Sequence, residues 1–104
     1  MSSADGRRLT AYVVKRGKDS YEVALHVSST DGAPLQGPVR FHLHDSYPRS
    51  LITIKKYDTD AILDEITATE AFTVGVEVLQ RNGLRTALEL DLEDAFEKAD
   101  RITK

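Results

Sequence analysis

The strictest constraint in this chain is a period of two. Residues 20–28 read Ser-Tyr-Glu-Val-Ala-Leu-His-Val-Ser. In an extended strand successive side chains point to opposite faces. Tyr21, Val23, Leu25 and Val27 therefore share one face, and Glu22, Ala24 and His26 share the other. A helix would scatter the same residues around its axis. The pattern returns at 39–44, where Val39, Phe41 and Leu43 oppose Arg40, His42 and His44. It returns again at 72–79, where Phe72, Val74, Val76 and Val78 align. A strand that is apolar on one face needs a second apolar layer, so these runs call for two sheets packed face to face.

The connections fit that architecture. Residues 9–15 form another apolar-rich strand, and Arg16-Gly17-Lys18-Asp19 joins it to 20–28 as a hairpin. Residues 29–38 hold two glycines and two prolines and read as a loop. Shorter strands are expected at 51–56 and 61–66. Asn82-Gly83 signals a hairpin between 72–79 and 84–92. Pro48 ends regular pairing after the third run. From Leu92 the period changes: Leu92, Ala95, Phe96 and Ala99 recur at helical spacing, and the tail is expected to fray from Asp100 onward. About seven short strands with turns every ~8–12 residues predict an all-β, immunoglobulin-like antiparallel β-sandwich with a short C-terminal helix. Its expected core is Val13, Tyr21, Val23, Leu25, Val27, Val39, Phe41, Leu43, Phe72, Val74, Val76, Val78, Leu88 and Leu90. The domain boundaries expected are a flexible N-terminus at 1–6, the sandwich at 7–92, and a helical tail or linker at 93–104.

Composition narrows the function classes. With 104 residues the chain has room for one domain and one core. It has no cysteine, which removes disulfide frameworks, thiol nucleophiles and cysteine-based zinc sites and fits a reducing, cytoplasmic setting. No apolar run approaches the ~20 residues of a membrane span, and the N-terminus lacks the features of a signal peptide. A net charge of −3 argues against nucleic acid as a partner. The expected partners are a protein or a modified peptide, with neither nucleic acid nor membrane, and no cofactor.

The chemistry-bearing residues concentrate in Phe41-His42-Leu43-His44-Asp45-Ser46-Tyr47-Pro48-Arg49. His42 and His44 share a strand face, and with His26 and Asp45 they could make a metal set. Ser46 beside His44 and Asp45 suggests a nucleophile, although neighbours in sequence rarely reach triad geometry. No phosphate-cradling glycine loop and no nucleophile elbow accompanies them. As a recognition rim, Ser46 would bond a ligand amide, His44 would orient that hydroxyl, and Tyr47 would wall the pocket. As plain structure, the same residues would cap a strand end and pack a corner.

Leu43-His44-Asp45-Ser46-Tyr47-Pro48 resembles the central Leu-His-x-Ser/Thr-aromatic-Pro motif of the YEATS family. A looser second landmark runs from Asp64 through Phe72 into the strand that ends near Val78. The resemblance covers about half of the chain, from Val39 to Leu92. It implies an immunoglobulin-like sandwich with a ligand-binding site of His44, Ser46, Tyr47, Thr69 and Phe72. His44 and Ser46 would contact an amide, and Tyr47 would be an aromatic wall. The family's second cage aromatic falls at Thr69, and its glycines fall at Ala68 and Ala71. That departure makes this chain more similar to the prokaryotic branch. Such domains are non-catalytic binding or sensing modules that stand beside signalling, transport or defence domains in longer bacterial proteins. Two alternatives stay open: an acyl-lysine reader in which Tyr57 or another ring replaces the lost aromatic, and a structural domain that mediates protein–protein contacts.

Overall fold

In the computed structural model, residues 2–35, 37–44, 47–55, 59–80 and 83–103 are described. They form eight strands and one helix: β1 (Ser3–Ala4), β2 (Arg7–Gly17), β3 (Ser20–Ser29), β4 (Val39–His42), β5 (Leu51–Ile54), β6 (Asp60–Ala68), β7 (Thr73–Leu79), β8 (Arg85–Asp91) and α1 (Glu93–Thr103). The strands make two four-stranded antiparallel sheets, β1-β2-β3-β6 and β5-β4-β7-β8. The fold is the all-β sandwich that the alternation predicts. The chain crosses between sheets after β3, β5 and β6, the Greek-key pattern of immunoglobulin-like sandwiches. Among the described residues, no helix is long and apolar enough to cross a membrane.

The core forms where the inward faces meet. Tyr21, Val23, Leu25 and Val27 of β3 are buried against Val39, Phe41, Val74, Val76, Val78 and Leu88 of the other sheet. Leu9, Leu35, Ala61, Ile66 and Ala68 complete it. Of the expected core, Val13, Phe72 and Leu90 are only half-buried. Leu84, at the start of the 84–92 run, is 66 % exposed because it belongs to the turn before β8.

Local chemistry sets the turns. In the β2–β3 hairpin the left-handed residue is Asp19, with φ of 56°, and Gly17 pairs with Ser20 as the last rung of the ladder. Aspartate tolerates this region because its short side chain can bond the local backbone. Gly83 takes φ of 81° in the β7–β8 hairpin, as the Asn-Gly signal requires; Asn82 lies outside the described residues. The third run ends at His42, two residues early, since Leu43 and His44 belong to the loop that leads to β5.

The two ends of the chain depart most from expectation. Ser3 and Ala4, expected in a flexible lead, pair with Arg8 and Arg7. Arg7 is buried and donates to Gly6 O at 2.8 Å, to Pro34 O at 3.2 Å and to Asp31 Oδ1 at 3.3 Å, which pins the β3–β4 loop. At the other end the tail does not fray at Asp100: the helix runs to Thr103 and packs along β2. Asp91 accepts the Glu93 N–H at its start, and Glu93 and Asp94 complement its positive end. Leu92, Phe96 and Ala99 are buried beneath it. The Phe96 ring lies 4.3 Å from that of Tyr21, whose hydroxyl donates to Asp100 Oδ1 at 2.7 Å.

The outer faces differ in character. On the first sheet Tyr12, Val14 and Ile62 are exposed. On the second, Arg40, His42, Glu77, Arg85 and Glu89 alternate outward, opposite in register to the core positions.

Candidate functional site

Antiparallel pairing brings the β4–β5 loop and the β6–β7 loop to the same end of the sandwich. The β4–β5 loop is closed by Leu43 N–H donating to Ser50 O at 2.6 Å and by Tyr47 N–H donating to His44 O at 3.0 Å. These bonds turn the Tyr47 side chain across the sandwich edge. There its hydroxyl donates to Thr67 O of β6 at 2.9 Å. Its ring lies 5.5 Å from the Phe72 ring, centroid to centroid. Phe72 also meets the His44 ring edge-on at 6.3 Å. Partial burial raises the Tyr47 phenol pKa, so the hydroxyl stays a donor well into alkaline solution.

The structure thus gathers four of the five expected site residues, His44, Tyr47, Thr69 and Phe72. With Glu70 and Ala71 they line a cavity of about 80 Å³. Ser46 and Asp45 lie outside the described residues, as does Tyr57. At ~10–15 Å³ of free volume per enclosed water, the cavity accommodates a group of about five to eight heavy atoms. Phe72 serves two purposes: it packs against the core and backs both rings, and its carbonyl accepts the Leu92 N–H at 3.0 Å. A flat group held between two parallel rings needs them roughly 7 Å apart, twice a ~3.5 Å contact. The Tyr47 and Phe72 rings are closer and inclined at 57°, so they touch and leave no slot between them.

The other histidines are placed elsewhere. His42 Nε2 contacts Glu77 Oε1 at 2.7 Å on the outer face of the second sheet. His26 Nε2 contacts Asp60 Oδ1 at 2.9 Å on the outer face of the first. The sandwich separates them, so they cannot share one ion. Among the described residues, no group of three or more histidines and carboxylates is arranged to hold a metal.

A second concavity was not legible in the sequence. On its other side Tyr47 borders a groove of about 460 Å³ between β5 and β6. This lies within the ~300–1,000 Å³ typical of ligand sites. Leu43, Ile52, Leu63 and Ile66 form its apolar floor, and Arg49, Asp64 and Glu65 stand at its rim. A bulge lies along the β6 wall of the groove. Val23 pairs with Ile66 and Leu25 with Leu63, so Asp64 and Glu65 together face Ala24. Glu65 takes φ of 59°, a left-handed conformation costly for a glutamate. The one available signal is the adjacent pair of carboxylates that interrupts the alternation of 61–66.

Comparisons with known protein families, curated proteins and solved structures return no match.

Proposed function

We propose that this chain is a non-catalytic binding module of the YEATS type, of the prokaryotic kind, that recognises its ligand at the loop end around His44, Tyr47, Thr69 and Phe72. The observation that carries this reading is the fixation of Tyr47. A tyrosine anchored by its hydroxyl to Thr67 O and by its ring to Phe72 is an aromatic wall already in its bound conformation. Such a side chain contributes apolar contact while losing little rotamer freedom on binding. The cavity beside it suits a small polar head group, with the His44 ring and the Thr69 hydroxyl at hand to orient an amide. The Leu43-His44-x-Ser46-Tyr47-Pro48 motif supports the same assignment, with Ser46 as the amide-contacting hydroxyl. Ligand capture of this kind would let the module sense or dock within a longer signalling or defence protein of a bacterial cytoplasm.

An amide-shift titration of the isotope-labelled chain tests this reading. Acetyl-lysine, crotonyl-lysine and unmodified lysine peptides are added in turn. Shifts confined to 43–47 and 67–72 support loop-end recognition, and their restriction to acylated peptides identifies an acyl-lysine reader with an altered cage. Tyr47→Ala should abolish them. Silence at millimolar peptide retires acyl-lysine as the ligand. Shifts that persist in Tyr47→Ala would refute the assignment of the wall.

A further inference from the structure

We propose that the open edge of β5 accepts an extended peptide strand whose inward side chains, apolar with one lysine or arginine, enter the groove between β5 and β6. This site is separate from the loop-end cavity and does not rest on that reading.

The ladder dictates which backbone groups are on offer. Leu43 N–H bonds Ser50 O, and bonded pairs alternate with non-bonded ones in an antiparallel pair. The register then makes Phe41–Ile52 and Val39–Ile54 bonded pairs and His42–Leu51 and Arg40–Thr53 non-bonded ones. The N–H and C=O groups of Leu51 and Thr53 therefore point away from β4. β5 is the end strand of its sheet, so these groups face the open edge. Its four residues, Leu-Ile-Thr-Ile, carry no charge, bulge or proline, which are the usual devices that blunt an edge.

The facing strand is different. β6 is also an end strand, but its bulge and its exposed Asp64 and Glu65 make it a poor template. It supplies instead the far wall of the groove. A strand added to β5 would send alternate side chains inward, over Leu43, Ile52, Leu63 and Ile66. Asp64 and Glu65 stand across from it, and neither pairs with a described cation. A basic group at the groove mouth would meet both carboxylates. A second copy of this chain fits less well. Antiparallel pairing through the same edge would set Arg49 of each chain toward the Lys55 end of the other, with like charges at both ends of the ladder.

The test uses two capped heptapeptides added to the isotope-labelled full chain. One is Thr-Val-Thr-Lys-Thr-Val-Thr, and the other has glutamate in place of lysine. The lysine peptide should shift the amides of Leu51, Thr53 and residues 63–67, with a midpoint at least tenfold lower than that of the glutamate peptide. Thr53→Pro removes the outward N–H without touching the β4 ladder, a position where proline is tolerated. It should weaken the lysine peptide at least tenfold. Asp64→Lys combined with Glu65→Lys should reverse the preference, and this variant decides the matter if Thr53→Pro fails to fold. Glu97→Ala, exposed on α1 and outside the groove lining, should leave the affinity unchanged. The proposal is overturned by absence of shifts at millimolar peptide, by equal affinity for both peptides, by indifference to Thr53→Pro in a folded variant, or by a β5-mediated dimer in sedimentation.

Discussion

Replacing Phe96 by alanine measures whether the C-terminal helix belongs to the cooperative unit. Phe96 is 6 % exposed, and its ring meets that of Tyr21 across the junction between α1 and β3. A buried Phe→Ala change costs ~3–5 kcal/mol, the transfer of the ring plus the cavity it leaves. The helix is terminal and can settle partway into the space, so the lower figure applies, about 3 kcal/mol. At ~4–8 °C per kcal/mol for a domain of this size, the midpoint should fall by about 12–24 °C. Urea unfolding followed by circular dichroism gives the free energy, and Glu97→Ala, an exposed site on the same helix, serves as the control with a change within ~0.5 kcal/mol. A loss below about 1 kcal/mol with an unchanged m-value would refute the packing argument. So would a separate helical transition ahead of the main one, since the helix would then be an appendage to a sandwich that is stable without it.

Other outcomes follow from the same structure. Arg7→Met should cost about 2–3 kcal/mol, because carbonyls of Gly6 and Pro34 lose a charged donor; faster hydrogen exchange in 30–35 would accompany it. Gly37→Ala should destabilise by about 1–3 kcal/mol, since the new methyl would sit 2.7 Å from the Cβ of Leu79; an unchanged urea midpoint would disprove the clash. Glu65→Gly should stabilise by about 1 kcal/mol by relieving the left-handed bulge residue, read from the same curves. Hydrogen bonding from His42, then from Arg85, holds the Glu77 carboxyl below its ordinary value. A depressed carboxyl stabilises the fold above its unfolded pKa, and this contribution disappears as pH falls through the folded value. Glu77→Gln should therefore flatten the decline in stability below about pH 4.5, and an unaltered acid profile would count against the His42–Glu77–Arg85 network.

Alternation made the sandwich legible because a half-buried sheet forces it. β3 extends from Ser20 to Ser29 with Tyr21, Val23, Leu25 and Val27 buried as expected. The loop end was legible through a different route: only the resemblance in Leu43–Pro48 and Asp64–Phe72 placed His44, Tyr47, Thr69 and Phe72 together, and the antiparallel β4–β7 pairing is what brings them to one end. What escaped depends on relations between distant segments. The bulge at Asp64–Glu65 exists only relative to Ala24 on β3, and the groove only relative to β5. The helix docks because Tyr21 presents a ring and a hydroxyl to Phe96 and Asp100, across 79 positions of sequence. Propensity alone left that tail unattached.

The docked helix has a consequence for stoichiometry. By lying along β2, with β8 close to β1 and β2, it leaves the β5–β6 side as the less covered flank among the described residues. A sheet with two receptive edges can relay pairing from molecule to molecule and grow without end. A sheet receptive along a single edge terminates after one addition. If β5 takes a peptide strand, each molecule takes one, and the complex stops at one chain and one peptide instead of propagating as a fibre.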